Sequence, residues 1–289
     1  MIAPAPCLSA WVVIEHAMAK RPQSARPTAG ATPTSRPATT SPAARRAASA
    51  RTGVGVEDWR AASADSPASA EGHHPSARKR VVVGISGASG AAYSCRLLEQ
   101  LLTLGHEVHL VVTEYGRQLL HDELDITKLE LEQLTPSIRG AELVAANGRL
   151  FVHPHKDVGA VIASGSFMHD GMVVIPCSST ALGYIASGAG SNLLARAAMV
   201  TLKERRPLIV VHRESPLSLI DIRNMETVTL AGGIIAPANP GFYLKPRTIE
   251  EIVDFVVGKC LDLLKIEHTL RTRWEARVDA IKRGRGGQG

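Results

Sequence analysis

The amino-acid sequence predicts an α/β fold, a three-layer Rossmann-like or flavodoxin-like parallel sheet with helices on both faces, preceded by a disordered N-terminal tail. Short apolar runs rich in β-branched residues alternate with helical stretches along residues 80–266. Such alternation is typical of parallel sheets. The runs are continuously apolar, as in "VVVGI" (81–85), which favours strands that are buried on both faces.

The N-terminal part of the chain differs from the rest in composition. Residues 1–78 are dominated by Ala, Pro, Ser, Thr, Arg and Gly. Such a segment cannot bury enough apolar surface to offset the entropy of ordering. It is Arg-rich and almost free of acidic residues before Glu57, as organelle transit peptides are. A natural tail or an upstream start is the alternative that we favour. We predict a tail over 1–78, a catalytic domain over 79–267 and a basic C-terminal helix or tail over 268–289.

The positive charge of the chain belongs to the tail. Of 33 basic and 27 acidic residues, residues 1–80 contain 11 and 5, so the remainder holds 22 of each sign. A neutral domain with 4% aromatic residues is a poor candidate for nucleic-acid binding. No apolar run of about 18 residues predicts a membrane-spanning helix. The four cysteines lie far apart, which favours a reducing compartment and a cytoplasmic location.

The predicted elements follow one another in strand–helix order. Strands are expected at 81–85, 106–113, 159–164, 171–178, 207–214 and 232–238, and helices at 91–104, 114–122, 179–205, 215–230 and 248–264. The last helix begins at Thr248 with an acidic first turn, a typical N-terminal pattern. The region between 123 and 150 shows no clear pattern. Ligands of parallel sheets bind beyond the carboxyl ends of the strands, so we searched those ends for polar residues.

Two clusters follow buried strands. The first is glycine-rich, G-x-x-G-x-x-G over 84–90, and its amides at a helix N-terminus suit a phosphate or a flavin edge. A tight turn that requires glycine is the alternative. The second cluster, 176–181, offers three hydroxyls, with an ordinary helix cap as the alternative. Cys177 lies in it, but we interpret this cysteine as a small core residue.

A third cluster follows the predicted strand at 207–214. Arg213 can bind a phosphate bidentately and Glu214 can move protons, although a surface ion pair explains them equally well. Tyr243 in a Pro-rich loop could reach a phosphate or merely anchor the loop. The histidines, among them His106, His109 and His153, lack a helper carboxylate in the sequence pattern, so we expect no metal site.

Several of these stretches together resemble the UbiX-type flavin prenyltransferase family. They are "VVVGISGASGAAY", "HLVVT", "DGMVVIPCSSTALG", "LKERRPLIVVHRE" and "GFYLKP", in the order that the family has. The resemblance implies a Rossmann-like fold and a homo-oligomer, typically a dodecamer. It implies transfer of a dimethylallyl group from dimethylallyl phosphate to reduced FMN as co-substrate, at N5 and C6, without a metal. The product would serve a UbiD-type decarboxylase, as in ubiquinone synthesis.

The resemblance also assigns roles to individual residues. It implies FMN contacts at Gly87, Ala88, Ser89, Thr113, Ser178, Ser179, Thr180, Ala181 and Arg213. Ala181 stands where the family commonly has Thr, so Thr180 is expected to replace that hydroxyl. Lys203, Tyr243 and Lys259 match positions around the substrate phosphate, and Glu214 matches the carboxylate that handles protons. The predicted catalytic residues are therefore Glu214, Ser89, Lys203 and Tyr243.

Three other functions remain open at the level of sequence. A flavin-dependent cysteine-type decarboxylase has the same fold, but its P-x-M-N-x-x-M-W stretch is absent. A flavin-binding accessory subunit of an aromatic-acid decarboxylase would not need Glu214, Tyr243 and Lys203. A nucleic-acid-binding protein would act through its Arg-rich ends.

Overall fold

The core of the protein is one parallel sheet. The computed structural model describes residues 78–270 and 272. Six strands are Arg80–Ile85 (β1), Glu107–Val112 (β2), Leu150–His153 (β3), Gly171–Cys177 (β4), Leu208–His212 (β5) and Ile234–Ile235 (β6). Their order is β3-β2-β1-β4-β5-β6, and every neighbouring pair is parallel. This doubly wound order confirms the predicted Rossmann-like fold.

Helices cover both faces of the sheet. They are Ala91–Thr103 (α1), Glu114–Leu124 (α2), Leu131–Leu134 (α3), Ala141–Ala146 (α4), Ser179–Ser187 (α5), Leu193–Lys203 (α6), Leu219–Leu230 (α7) and Ile249–Leu263 (α8). The core on one face is formed with α1 and α8, and the core on the other with α5 and α6. The predicted three layers are therefore present.

The strands form where the apolar runs were longest. Val81 and Val83 point to the α1 face and Val82 to the α6 face, and all three are fully buried. Each such side chain contributes roughly 1.5–3 kcal/mol by leaving water. Helices begin at polar caps, because a side-chain oxygen there accepts an orphan backbone amide. The caps with this bond are Thr113, Ser178, Asn192, Ser218 and Thr248.

One predicted strand was wrong and one strand was missed. The stretch 159–164 contains a 3-10 turn, Val161–Ala163, in which only Ile162 and Ala163 are buried. A run of this length is compatible with either structure, and periodicity alone cannot decide between them. The missed strand is β3 at the sheet edge. Phe151 and Val152 there are partly exposed, so the strand lacks the continuous apolar pattern of a central one.

Other predicted boundaries were too wide. The single helix expected over 179–205 is two helices, because Gly188 ends α5 in a left-handed conformation and Asn192 caps α6. The strand expected over 207–214 ends at His212, and the helix expected from 215 begins only at Leu219. The last strand is shorter than the predicted 232–238.

Two sequence predictions concern parts of the chain with little or no description. The predicted tail lies outside the described residues up to residue 77, and so does most of the segment 268–289. Within the described part, every helix is too short or too polar to cross a membrane.

Candidate active site

Ser86 joins the carboxyl ends of β1 and β4. Its hydroxyl donates to the carbonyl of Pro176 at 3.0 Å and accepts from the amide of Ser178 at 2.8 Å. The side chain is 1% exposed, so both bonds are shielded from water. Ser86 therefore fixes the glycine-rich loop against the loop that begins α5. Sequence reasoning included it in the glycine-rich stretch without assigning it a role.

A cavity of about 210 Å³ lies beyond these strand ends. Its walls come from the ends of β1, β2 and β4 and from the starts of α5 and α6. Five predicted residues line it: Gly87, Thr113, Ser178, Thr180 and Ala181. The other lining residues are Ser86, Glu114, Tyr115, His155, Tyr184, Asn192, Leu194 and Ala195. The structure thus brings together three of the separate stretches that sequence reasoning selected.

The hydroxyls in the cavity can still donate. Thr113 Oγ1 accepts from the amide of Gly116 at 3.1 Å, and Ser178 Oγ accepts from the amide of Ala181 at 3.2 Å. A hydroxyl that accepts in this way retains its own proton for a further hydrogen bond. Both side chains can therefore donate to an oxygen of a ligand, as a phosphate or ring carbonyl requires.

Gly87 allows the chain to pass close to α2. A Cβ atom at this position would come within 2.4 Å of Cβ of Tyr115. Contacts this short do not occur, so a larger residue would displace either the loop or Tyr115. Ala88 and Ser89 continue the same loop toward α1.

One expectation about this loop was wrong. The amides at the start of α1 were predicted to face a ligand, but those of Gly90 and Ala91 are bound by the carboxylate of Glu123. The protein's own anion occupies the position that a ligand phosphate takes in other glycine-rich loops. The loop can contact a ligand only through residues before Gly90.

Arg213 and Glu214 follow β5 directly. The amide of Arg213 donates to the carbonyl of Cys177 at 3.1 Å, which continues the contact between β4 and β5. Burial raises the pKa of the Tyr93 phenol, and the positive charge of Arg213 opposes that rise. Arg213 therefore lies near the first turn of α1. The carboxylate of Glu214 accepts from the amide of Ser215 at 2.9 Å.

Lys203 lies at the opposite edge of the sheet. It ends α6 and forms an ion pair with Glu204, just before β5 begins. Arg206 nearby donates to the carbonyls of Gly165 and Phe167, which lead into the amino end of β4. Within one copy of the chain, Lys203 and the cavity therefore occupy opposite ends of the strands.

Tyr243 and Lys259 lie outside the lining of this cavity. Tyr243 follows β6, packs edge-on against Phe255 of α8 and donates to the carbonyl of Thr272 at 3.3 Å. Lys259 is exposed in the second half of α8, which runs toward the amino edge. There Lys79 binds the carbonyl that ends α8, at Leu264.

Cys177 and the histidines have structural surroundings. Burial raises the pKa of the Cys177 thiol well above its ordinary value, which suits a core residue and not a nucleophile. The expectation that His109 lacks a carboxylate partner was wrong. Its Nε2 lies 2.8 Å from Oε1 of Glu107, and its Nδ1 lies 2.9 Å from Nε2 of His153. Among the described residues, no group of three metal-ligating side chains occurs.

Two larger cavities lie elsewhere. One of about 480 Å³ lies between α1 and α8, and Arg96 in its wall is paired with Glu99 and Asp254. The other, of about 580 Å³, is lined by Lys203 together with Arg196, one face of α6 and the turn after Val158. This second cavity lies on the surface that carries Lys203.

Comparison with known proteins decides the family. The profile of the Flavoprotein family matches residues 69–261. A protein of Halalkalibacterium halodurans named flavin prenyltransferase UbiX is 46% identical over 196 residues, which cover 66% of this chain and 91% of the relative. The chain belongs to the UbiX family of flavin prenyltransferases.

Solved structures of UbiX proteins have the same fold. A structure described as AnUbiX in complex with FMN and dimethylallyl pyrophosphate is 40% identical, covers 66% of this chain and 97% of its own, and has a TM-score of 0.57. A dodecameric FMN-dependent UbiX-like decarboxylase from Escherichia coli is 38% identical, covers 68% and 98%, and has a TM-score of 0.58. The UbiX fold thus spans the described domain.

Two aromatic residues of this UbiX cavity were missed from sequence. Tyr184 lies one helical turn after Thr180, so the spacing placed both on one face of α5. That signal was present in the sequence. Tyr115 follows the cap Thr113 and is 74% exposed, and no sequence pattern distinguished it from a surface residue.

Proposed function

We propose that this protein is a flavin prenyltransferase that transfers a dimethylallyl group from dimethylallyl phosphate to reduced FMN. The observation that carries the proposal is the cavity at the carboxyl ends of β1, β2 and β4. Five residues that the family resemblance assigned to FMN line it together. Family membership supplies the reaction class, and the cavity supplies a place for it.

The donor set of the cavity fits FMN. Thr113, Ser178 and Thr180 offer hydroxyls, and Gly87 lets the backbone approach a planar ring. Tyr115 and Tyr184 provide apolar ring surface beside them. We assign FMN contacts to these residues, to Ala88, Ser89 and Ala181 beside them, and to Arg213. FMN supplies the nucleophilic N5 and C6 atoms, and the protein positions the two reactants.

The reaction needs charge stabilisation and one proton acceptor. The C–O bond of the allylic phosphate breaks, and phosphate leaves with the electron pair. Cations and a phenol lower the energy of that charge, a role that we assign to Lys203, Tyr243 and Lys259. Bonds then form at N5 and C6, and a proton must leave C6. Glu214 is the acceptor in this proposal, with Ser89 beside the flavin.

The position of Lys203 implies that the complete site contains two copies of the chain. Lys203 lies at the amino edge and the cavity at the carboxyl edge, so one copy cannot supply both. The cavity of about 210 Å³ is also smaller than the roughly 300–1,000 Å³ of ordinary ligand sites. We propose a homo-oligomer, a dodecamer as described for the Escherichia coli neighbour, in which Lys203 of another copy completes the site.

The wider role follows from the chemistry of the product. We propose that prenylated FMN serves a UbiD-type decarboxylase, as in ubiquinone synthesis. Free thiols at Cys95, Cys177 and Cys260 and the need for reduced FMN suit a reducing compartment, which supports a cytoplasmic location.

A decarboxylase is the second candidate, since the Escherichia coli neighbour is described as one. The test is anaerobic incubation with reduced FMN and either dimethylallyl phosphate or dimethylallyl diphosphate, followed by mass spectrometry of the flavin. We expect FMN plus one dimethylallyl unit with at least one donor. FMN of unchanged mass with both donors would contradict the proposal. Carbon dioxide release from an aromatic acid by the protein alone would favour the second candidate.

A further inference from the structure

The loop that carries Arg213 and Glu214 is fastened at both ends near one side chain, Ser179. At the first end, Nε2 of His212, the last residue of β5, lies 3.3 Å from the hydroxyl of Ser179. At the other end, the amide and hydroxyl of Ser218 donate to Oδ2 of Asp221 at 2.9 and 2.6 Å. Asp221 also accepts a hydrogen bond from Ser179. Ser179 thus connects the start and the end of the loop.

The directions of these hydrogen bonds follow from their chemistry. The Asp221 carboxylate can only accept, and the Ser179 hydroxyl has one proton, so Ser179 donates to Asp221 and accepts from His212. The hydrogen bond from Ser179 is the largest of the causes that lower the pKa of Asp221 to about 2. Burial lowers the pKa of His212, and the charges of Asp221 and Glu214 oppose that effect. A neutral His212 with its proton on Nε2 completes the network.

The network surrounds a loop that packing does not fix. His212 and Asp221 are 2% and 5% exposed, whereas Arg213, Glu214 and the residues up to Leu217 are exposed. A proton acceptor works only within hydrogen-bond reach of its proton. Fixing both ends of a short loop restricts where Glu214 can lie.

We propose that Ser179, His212 and Asp221 are positioning residues that hold the loop so that Glu214 and Arg213 face the flavin. The inference rests on the proposed function, because it gives these residues a role in the same reaction. It differs from a flavin contact by Ser179, since the hydroxyl acts here through His212 and Asp221. A misplacement of about 1 Å can slow an enzyme by about 10²-fold.

Kinetics of Ser179→Ala test this role. We expect the turnover number for prenylated FMN to fall about 10- to 100-fold, as for a misplaced catalytic group. FMN affinity should stay within about threefold, because the hydroxyl is engaged away from the ligand. Ser179→Thr keeps a hydroxyl and should recover most of the rate. The matched control is Ser187→Ala on the same helix, whose hydroxyl donates to Gly183, and it should behave as wild type.

Hydrogen exchange tests the same inference without reference to activity. Amides from Arg213 to Asp221 should exchange faster in Ser179→Ala and in His212→Leu than in wild type or Ser187→Ala. The two substitutions break one connection, so their effects should not add. Unchanged exchange together with weakened FMN binding would overturn the inference in favour of a direct flavin contact. A wild-type protein that makes no prenylated FMN would instead contradict the proposed function, while the exchange result would still decide the positioning role.

Discussion

The carboxylate of Glu123 accepts hydrogen bonds from the backbone amides of Gly90 and Ala91, at 3.0 and 2.8 Å. These amides begin α1, directly after the glycine-rich loop. An anion at a helix N-terminus is stabilised by the orphan amides and by the helix dipole. Glu123 of α2 therefore acts as the cap that α1 lacks in its own sequence, and it ties α2 to the loop beside the cavity.

Replacing Glu123 should cost stability more than flavin binding. We expect Glu123→Ala to lower the free energy of unfolding by about 0.5–2 kcal/mol, the range for loss of a helix cap. FMN affinity should change little, because the ligand contacts precede Gly90. Urea denaturation and FMN titration measure the two effects. Glu226→Ala, an exposed position on α7, is the control. Equal stability of Glu123→Ala and the control would show that this cap contributes nothing.

Gly87→Ala should weaken FMN binding. The added methyl group would lie 2.4 Å from Cβ of Tyr115, so the loop or α2 must move where the ligand contacts both. We expect FMN affinity to fall at least about tenfold, since even 1.4 kcal/mol of strain has that effect. Gly183→Ala, which has free space in α5, is the control and should be neutral or stabilising. Normal FMN affinity in Gly87→Ala would place the flavin away from this loop.

Asp221 should make stability depend on acid. Its pKa in the folded protein is about 2, below the ordinary value of 3.8, because Ser179 and Ser218 bind the ionised form. The ionised carboxylate therefore stabilises the folded state above about pH 4, and this contribution disappears as the pH falls toward about 2. In Asp221→Asn, the free energy of unfolding should vary less over that range. Urea denaturation at several pH values measures it. An identical slope in wild type and variant would contradict the assigned hydrogen bonds.

Two inactive variants should complement each other if the site spans two copies. Lys203→Ala and Glu214→Gln are each expected to lose turnover. In oligomers formed by co-expression, about a quarter of the sites would combine an intact Lys203 with an intact Glu214 from different copies. Turnover should recover to about that fraction. Lys128→Ala, an exposed lysine far from both groups in sequence, is the control for Lys203→Ala. No recovery in verified mixed oligomers would show that both residues act within one copy.

Much of the fold could be predicted because the central strands are continuous apolar runs. Val81 to Ile85 and Met172 to Ile175 are buried on both faces, and their pattern left little choice. Edge elements were harder, because Phe151 and Val152 in β3 are half exposed and lack that pattern. The stretch at Val161 has strand-like composition but packs as a turn against α6. Tertiary packing determined its conformation there, and intrinsic preference did not.

The candidate site was only partly predictable for a related reason. Gly87, Thr113 and Ser178 each follow a buried strand, and parallel strands bring such positions to one edge. The sequence could not show that Glu123 fills the start of α1, because that contact joins two helices. Nor could it show that Lys203 lies at the far edge, since motif similarity carries no information on which copy supplies a residue.

The central claim is that this cavity builds two bonds on the flavin with Glu214 as the proton acceptor. Single-turnover mixing of reduced FMN and dimethylallyl phosphate under anaerobic conditions, followed by absorbance and rapid-quench mass spectrometry, tests it most directly. Wild type should form the four-ring product. Glu214→Gln should bind FMN and alkylate N5 but close the ring about 10²- to 10⁴-fold more slowly, as expected for loss of a general base. Ring closure at the wild-type rate in Glu214→Gln, or no alkylated flavin in wild type, would contradict the account.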